Sequence, residues 1–142
     1  PYIELPKKLT VKQNLEVYGR LYDVNNLSSK IDYLIEKLRL NEIIYKITGE
    51  LSSGQKNRVS LAKSIINDPT ILLLDEPTSS MDQGTEQKVI GSLRAFCRDK
   101  TMLIVTHRNP ILAMVDRILV MENGNIISDQ TPEQLGIKRV AK

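Results

Sequence analysis

Two carboxylates stand side by side at Asp75 and Glu76, directly after the apolar run Ile71-Leu72-Leu73-Leu74. In open α/β sheets, ligands bind beyond the carboxyl ends of the strands. A hard cation such as Mg²⁺ takes few protein carboxylates and completes its shell with water and substrate phosphates. One carboxylate can therefore serve a metal while its neighbour faces an attacking water. The plainer reading of the pair is a polar exit from a strand. Upstream, Ser52-Ser53-Gly54-Gln55 opens a helix. Helix N-termini present free N–H groups and a partial positive charge, which suit phosphate. Gly54 permits close backbone approach and a serine hydroxyl adds a donor. The same residues also fit a simple capping box, Ser52 to Gln55, and taken alone that is the better account. His107, the only histidine, follows a second apolar run at residues 101–105. It can donate to a phosphate or orient a base. A lone histidine is more often structural, but this one falls at the edge where Asp75 and Glu76 fall.

These groups need elements to hold them. Residues 1–9 read as loop, punctuated by Pro1 and Pro6. Thr10 and Gln13 have the form of a capping box, followed by Val11, Leu15, Tyr18 and Tyr22 at helical spacing. A second helix carries Ile31, Leu34, Ile35 and Leu38, and residues 41–45 predict a third, short one. From Gln55 the pattern stays helical to Ile66, where Asn67-Asp68-Pro69 stops it. Residues 70–74 form a continuous apolar run, as in a strand buried on both faces. Residues 84–98 return to helix, and residues 101–105 give a second buried strand. A short helix over 111–115 follows, then a strand at 118–121, a two-residue turn at Asn123-Gly124 and a strand at 125–128. Thr131 to Gln134 is another capping box with Pro132 at N1, and residues 138–142 are expected to fray. Strands alternating with helices argue a parallel α/β sheet.

Composition narrows the function classes. The 142 residues are 41% hydrophobic, enough for one ordinary domain or two small subdomains. Aromatic residues make up 4% and Trp is absent, so stacking on bases is poorly provided for. The net charge is +3 with no polybasic block, and no nucleic-acid partner is expected. The lone Cys97 cannot form an internal disulfide and reads as a small buried hydrophobe. No apolar run is long enough to span a membrane.

Taken together, the motifs carry a resemblance. Leu51-Ser52-Ser53-Gly54-Gln55 resembles the signature motif of ATP-binding cassette (ABC) ATPases. Residues 71–75 resemble their Walker B strand, with Glu76 in the place of the catalytic glutamate. Ser79-Ser80-Met81-Asp82 is similar to the D-loop, and Thr106-His107 to the switch histidine. The flanks agree: residues 9–15 resemble the segment after the family's Q-loop, and residues 116–126 its C-terminal strands. The order and spacing are those of the family, over essentially the whole chain.

The resemblance implies an incomplete α/β P-loop NTPase core with an all-α signature subdomain. The helical subdomain would be residues 1–68 and the second part of the core residues 69–142. It implies an ATPase that couples ATP binding and hydrolysis to transport, in the manner of a bacterial exporter. Two such domains pair head to tail around two nucleotides and dock on a transmembrane subunit at the cytoplasmic face of the membrane. By match, Glu76 polarises the attacking water and His107 contacts the γ-phosphate. Asp75 holds Mg²⁺ through water. Ser52, Ser53, Gly54 and Gln55 meet the partner's nucleotide, and Asp82 acts across the dimer. No G-x-x-x-x-G-K-[ST] phosphate loop occurs in the sequence, so this chain is expected to be the later part of a cassette and to be inactive alone. Ser53 stands where the signature most often has glycine. The alternatives are a non-catalytic interaction module and a soluble ABC ATPase of DNA repair or translation.

Overall fold

The computed structural model describes residues 5–138. Its packing divides the chain into two compact units, one ending at Val105 and the other beginning at Thr106. The helical residues expected to form a subdomain up to residue 68 lie in the first unit together with the first two strands and the helix between them.

The first unit opens with helix α1, Val11–Leu21. Thr10 caps it reciprocally: its hydroxyl accepts from the Gln13 amide at 3.2 Å, and Gln13 Oε1 accepts from the Thr10 amide at 2.9 Å. Val11, Leu15 and Tyr18 face the core, while Tyr22 caps the C-terminus and is 45% exposed, so the expected stripe stops one turn early. Helix α2, Leu27–Lys37, buries Ile31 and Leu34 and is followed by buried Leu38. Its end is closed from outside. Arg39 turns left-handed at φ 54°, and the Arg58 guanidinium donates to the carbonyls of Leu38 and Arg39. Burial lowers the pKa of that guanidinium, with Arg39 adding to the effect.

The third helix expected over residues 41–45 is absent. Successive turns run there, with Ile43 donating to the Leu40 carbonyl and Lys46 to that of Ile43. The reason is competition for the backbone. The carbonyls of Ile44 and Lys46 accept from Lys12 and Val11, and Thr48 donates to Leu9, which ties the segment to the start of α1. A segment this short gains too little from helical bonds to resist. Asn14 completes the tie: it is fully buried and donates to the carbonyls of Pro6, Leu9 and Thr10 and to the Thr48 hydroxyl.

Helix α3, Ser53–Ile65, begins two residues before the expected start and buries Val59, Leu61, Ala62 and Ile65. Asp68 ends the turn after it in the left-handed region (φ 54°), just before Pro69. Then come strand β1 (Ile71–Asp75), helix α4 (Gln83–Phe96) and strand β2 (Thr101–Val105). The strands pair in parallel from Ile71 with Thr101 to Asp75 with Val105, as a βαβ crossover requires. Neither strand is buried on both faces. Leu72 and Leu74 are 3% and 6% exposed, but Ile71 and Leu73 on the other face are 69% and 68% exposed, and Leu103 and Val105 match them at 58% and 57%. The pleat alternates the run between a packed side and an open one.

The second unit holds the short helix α5 (Asn109–Leu112), with Pro110 in its first turn, and an antiparallel hairpin of β3 (Ile118–Glu122) and β4 (Asn125–Gln130). α5 ends before the expected residue 115, and the hairpin is slightly longer than expected. Asn123 and Gly124 both have positive φ, 48° and 78°, which is what a two-residue type I′ turn requires. Arg117 grips Asp129 through two parallel hydrogen bonds of 2.8 and 2.5 Å. That bonding holds the Asp129 carboxyl below its usual range and raises the arginine. Thr131 and Gln134 make their reciprocal bonds, but they close a single 3₁₀ turn, Glu133–Leu135, rather than an α-helix. Fraying was expected over residues 138–142; residues 139–142 lie outside the described residues.

Candidate functional site

Asp75 is the last residue of β1 and is exposed; Glu76 follows and is half-buried. Glu76 keeps the ladder going for one more bond, its amide donating to the Val105 carbonyl at 2.9 Å, yet its φ is 45°. Left-handed backbone is disfavoured for a residue with a side chain and survives only where neighbours impose it. The neighbours here are the anchors of the following loop, residues 77–82.

That loop is fixed on several sides. Ser79 donates from its amide to the Glu76 carbonyl at 3.0 Å, and Met81 to that of Thr78 at 3.3 Å. The Thr78 hydroxyl, fully buried, donates to Oε1 of buried Glu86 in the first turn of α4 at 2.8 Å. Asn57 on α3 donates from Nδ2 to both the carbonyl and the hydroxyl of Ser79, each at 2.8 Å. Ser80 has φ 60°, and its carbonyl lies so close to Gly54 that a Cβ there would sit 2.3 Å from the oxygen. Only glycine fits that approach. Asp82 then caps α4, its Oδ1 accepting from the Thr85 amide at 2.9 Å. The hydrogen bonding from Thr85 lowers the Asp82 pKa below its ordinary value.

The turn before α3 realises its local alternative. Ser52 Oγ accepts from the Gln55 amide at 3.3 Å, and Gln55 Oε1 accepts from the Ser52 amide at 3.0 Å. Ser52 and Ser53 are exposed at the helix start, and Gly54 and Gln55 are half-buried. The first unit thus brings the turn at Ser52, Ser53, Gly54 and Gln55 against the loop that leaves Glu76 and arrives at Asp82. His107 belongs to the second unit, two residues beyond the end of β2, and is exposed. Among the described residues, no group of three or more His, Cys, Asp or Glu side chains forms a metal cage. The exposed carboxyl of Asp75, with Glu76 next to it, fits the lighter demand of a cation held mainly by phosphates and water.

A family model for ABC transporters matches residues 3–79, which is more than half of the chain and includes the turn at Ser52, both carboxylates and the start of the loop. The chain belongs to the ABC transporter family. It is 35% identical over 125 residues to an ABC transporter ATP-binding protein of Mycoplasma genitalium, covering 86% of this chain and 38% of that protein. It is 34% identical over 135 residues to the Nod factor export ATP-binding protein I of Rhizobium etli, covering 92% of this chain and 43% of that protein. It thus spans roughly two fifths of the length of these relatives. In structure it is similar to a dimeric ATP-binding cassette in a post-hydrolysis state bound to ADP and Pi, with a TM-score of 0.79 at 23% identity over 92% of this chain and 60% of the other. The fold of this family member is that of part of an ABC-type P-loop ATPase, with an incomplete core. No helix among its described residues is long and apolar enough to cross a membrane.

Three residues of the site escaped the sequence reading. Asn57, Thr78 and Glu86 hold the loop but carry no local signal. Their partners lie 22 residues away for Asn57 and 8 residues apart for the Thr78–Glu86 pair.

Proposed function

We propose that this ABC family chain supplies the signature turn and the hydrolytic carboxylate of ATP sites that drive an ABC transporter, with the helical subdomain at residues 1–68 and the second part of the ATPase core at residues 69–142. One observation carries the reading: Glu76 leaves the carboxyl end of a parallel strand, and its loop packs directly on Gly54 of the signature turn. Glu76 orients and polarises the water that attacks the γ-phosphate. Asp75 holds a water of the Mg²⁺ shell, and the bound ion supplies charge neutralisation on the phosphates. His107 donates to the γ-phosphate. The signature turn meets the nucleotide of a second cassette arranged head to tail: Ser52 and Ser53 offer hydroxyl donors, Ser53 and Gly54 offer amide donors, and Gln55 shapes the turn through its cap with Ser52. Asp82 acts across that interface.

The structural neighbour is dimeric and holds ADP and Pi, which supports both the nucleotide and the pairing. Relatives named as Nod factor export proteins support export over import. They also favour a transporter over an ATPase of repair or translation. A transmembrane subunit and a place at the cytoplasmic membrane face follow from the same reading. The phosphate loop, not found in these 142 residues, comes from elsewhere in the assembled cassette.

The test is Glu76→Gln in the native assembly. Removing the base is expected to lower ATP turnover by roughly 10²- to 10⁴-fold while ATP still binds. Turnover at the unsubstituted rate would remove Glu76 from the reaction.

A further inference from the structure

Asn57 takes no part in the chemistry above, yet its side chain ties α3 to the loop that follows Glu76. Its amide donates twice to one residue, to the carbonyl and the hydroxyl of Ser79, both at 2.8 Å. The Ser79 amide in turn donates to the Glu76 carbonyl at 3.0 Å, so the position of Ser79 is passed straight to the peptide of Glu76. That peptide follows a backbone held at φ 45°, which must be imposed from outside. One residue on, the Ser80 carbonyl rests against Gly54. On its other side the loop is held by Thr78 through Glu86.

We infer that Asn57 is a positioning residue for ATP hydrolysis: by gripping Ser79 it fixes the signature turn and Glu76 into one body, so that the parts this chain lends to the two paired nucleotide sites keep their spacing. The inference rests on the ATP-site reading above. Asn57 acts through Ser79 and not on the nucleotide, which separates two kinds of effect. Losing the grip misplaces Glu76 relative to the attacking water, and a misplacement of about 1 Å costs up to a hundredfold in rate. Binding of ATP depends on other groups and is little changed.

The donor matters more than the bulk. Asn57→Asp keeps the size but cannot donate to the Ser79 carbonyl, and keeps at most one bond, accepted from the Ser79 hydroxyl. Asn57→Gln keeps the donors on a longer arm. The experiment measures ATP turnover of the native assembly for the unsubstituted protein, Asn57→Ala, Asn57→Asp and Asn57→Gln, with thermal midpoints and amide hydrogen exchange of residues 79–81 alongside. The expected result is a kcat lowered about tenfold to a hundredfold in the Ala and Asp variants, with KM changed less than about threefold. Exchange at residues 79–81 accelerates, and Gln restores part of both. Unchanged loop exchange overturns the inference. So does faster exchange at full kcat, or a loss of turnover that merely tracks the fraction of folded protein. If the unsubstituted assembly turns over no ATP, the ATP-site reading itself falls and takes this inference with it, a result distinct from any failure of the variants.

Discussion

The hydroxyl of Thr78 donates to Oε1 of Glu86 at 2.8 Å in a fully buried pair. It joins the loop after the carboxylates to the first turn of α4, the helix that Asp82 caps. Replacing Thr78 by Val keeps the shape and removes the donor, leaving part of a buried carboxyl unmet. Such a group costs about 1–3 kcal/mol. Thr78→Val is expected to lower stability by that amount in denaturant unfolding, whereas Thr78→Ser, which keeps the hydroxyl, loses less. Equal stability of Thr78→Val and the unsubstituted chain would show that the pair does not hold the loop.

Glycines at two places in helices separate packing from propensity. A Cβ at Gly54 would meet the Ser80 carbonyl at 2.3 Å, and a backbone oxygen cannot swing aside. Gly54→Ala is expected to destabilise by about 1–3 kcal/mol, the usual range for forced overpacking. Gly91 lies inside α4 with nothing within 4 Å of its absent Cβ. Gly91→Ala should stabilise by about 0.5–1 kcal/mol through helix propensity alone. Thermal midpoints moving in opposite directions check both.

Asp82 gives a prediction with a sign in pH. Its pKa is lowered from the ordinary 3.8, first by the hydrogen bonding from Thr85. A carboxyl depressed on folding contributes stability that is fully present above the unfolded value and lost as pH falls through the folded one. The difference in thermal midpoint between the unsubstituted chain and Asp82→Ala should therefore be flat from neutral pH to about 4 and narrow below it. Asp82→Asn, a cap without a charge, should keep a pH-independent advantage over Asp82→Ala. The Asp129 carboxyl is lowered too, by Arg117, but it is common to all three proteins and cancels in the differences.

Local signals in the sequence were enough for the capped helices and the hairpin. Thr10 with Gln13, Ser52 with Gln55, and Asn123-Gly124 each state their structure within four residues, and each forms as read. What needed distant partners was not legible. Residues 41–45 have helical character, but the carbonyls of Ile44 and the following Lys46 are claimed by the start of α1. Asn57 is an ordinary polar residue on a helix until Ser79 arrives beneath it. Cys97 was read as buried and is half-buried at the C-terminus of α4, with burial pushing its thiol pKa up. The family itself came from several weak motifs in the right order, none of them decisive by itself.

The open face of β1 and β2 is the sharpest divergence, and it yields the last prediction. An unbroken apolar run argues burial on both faces, because such runs are the mark of parallel strands covered on both sides. Period-2 geometry instead sends Leu72 and Leu74 inward and Ile71 and Leu73 outward, with Leu73 opposite exposed Leu103. Adjacent leucines of one strand should therefore answer truncation differently in this chain. Leu72→Ala removes packed atoms and leaves a cavity, a loss of about 2–5 kcal/mol. Leu73→Ala removes atoms that already face water, and its effect should stay within about 0.5 kcal/mol. Denaturant midpoints of the two variants decide the matter. If Leu73→Ala cost as much as Leu72→Ala, that face would be covered in solution. The strand would then be buried on both sides, as its sequence alone suggests.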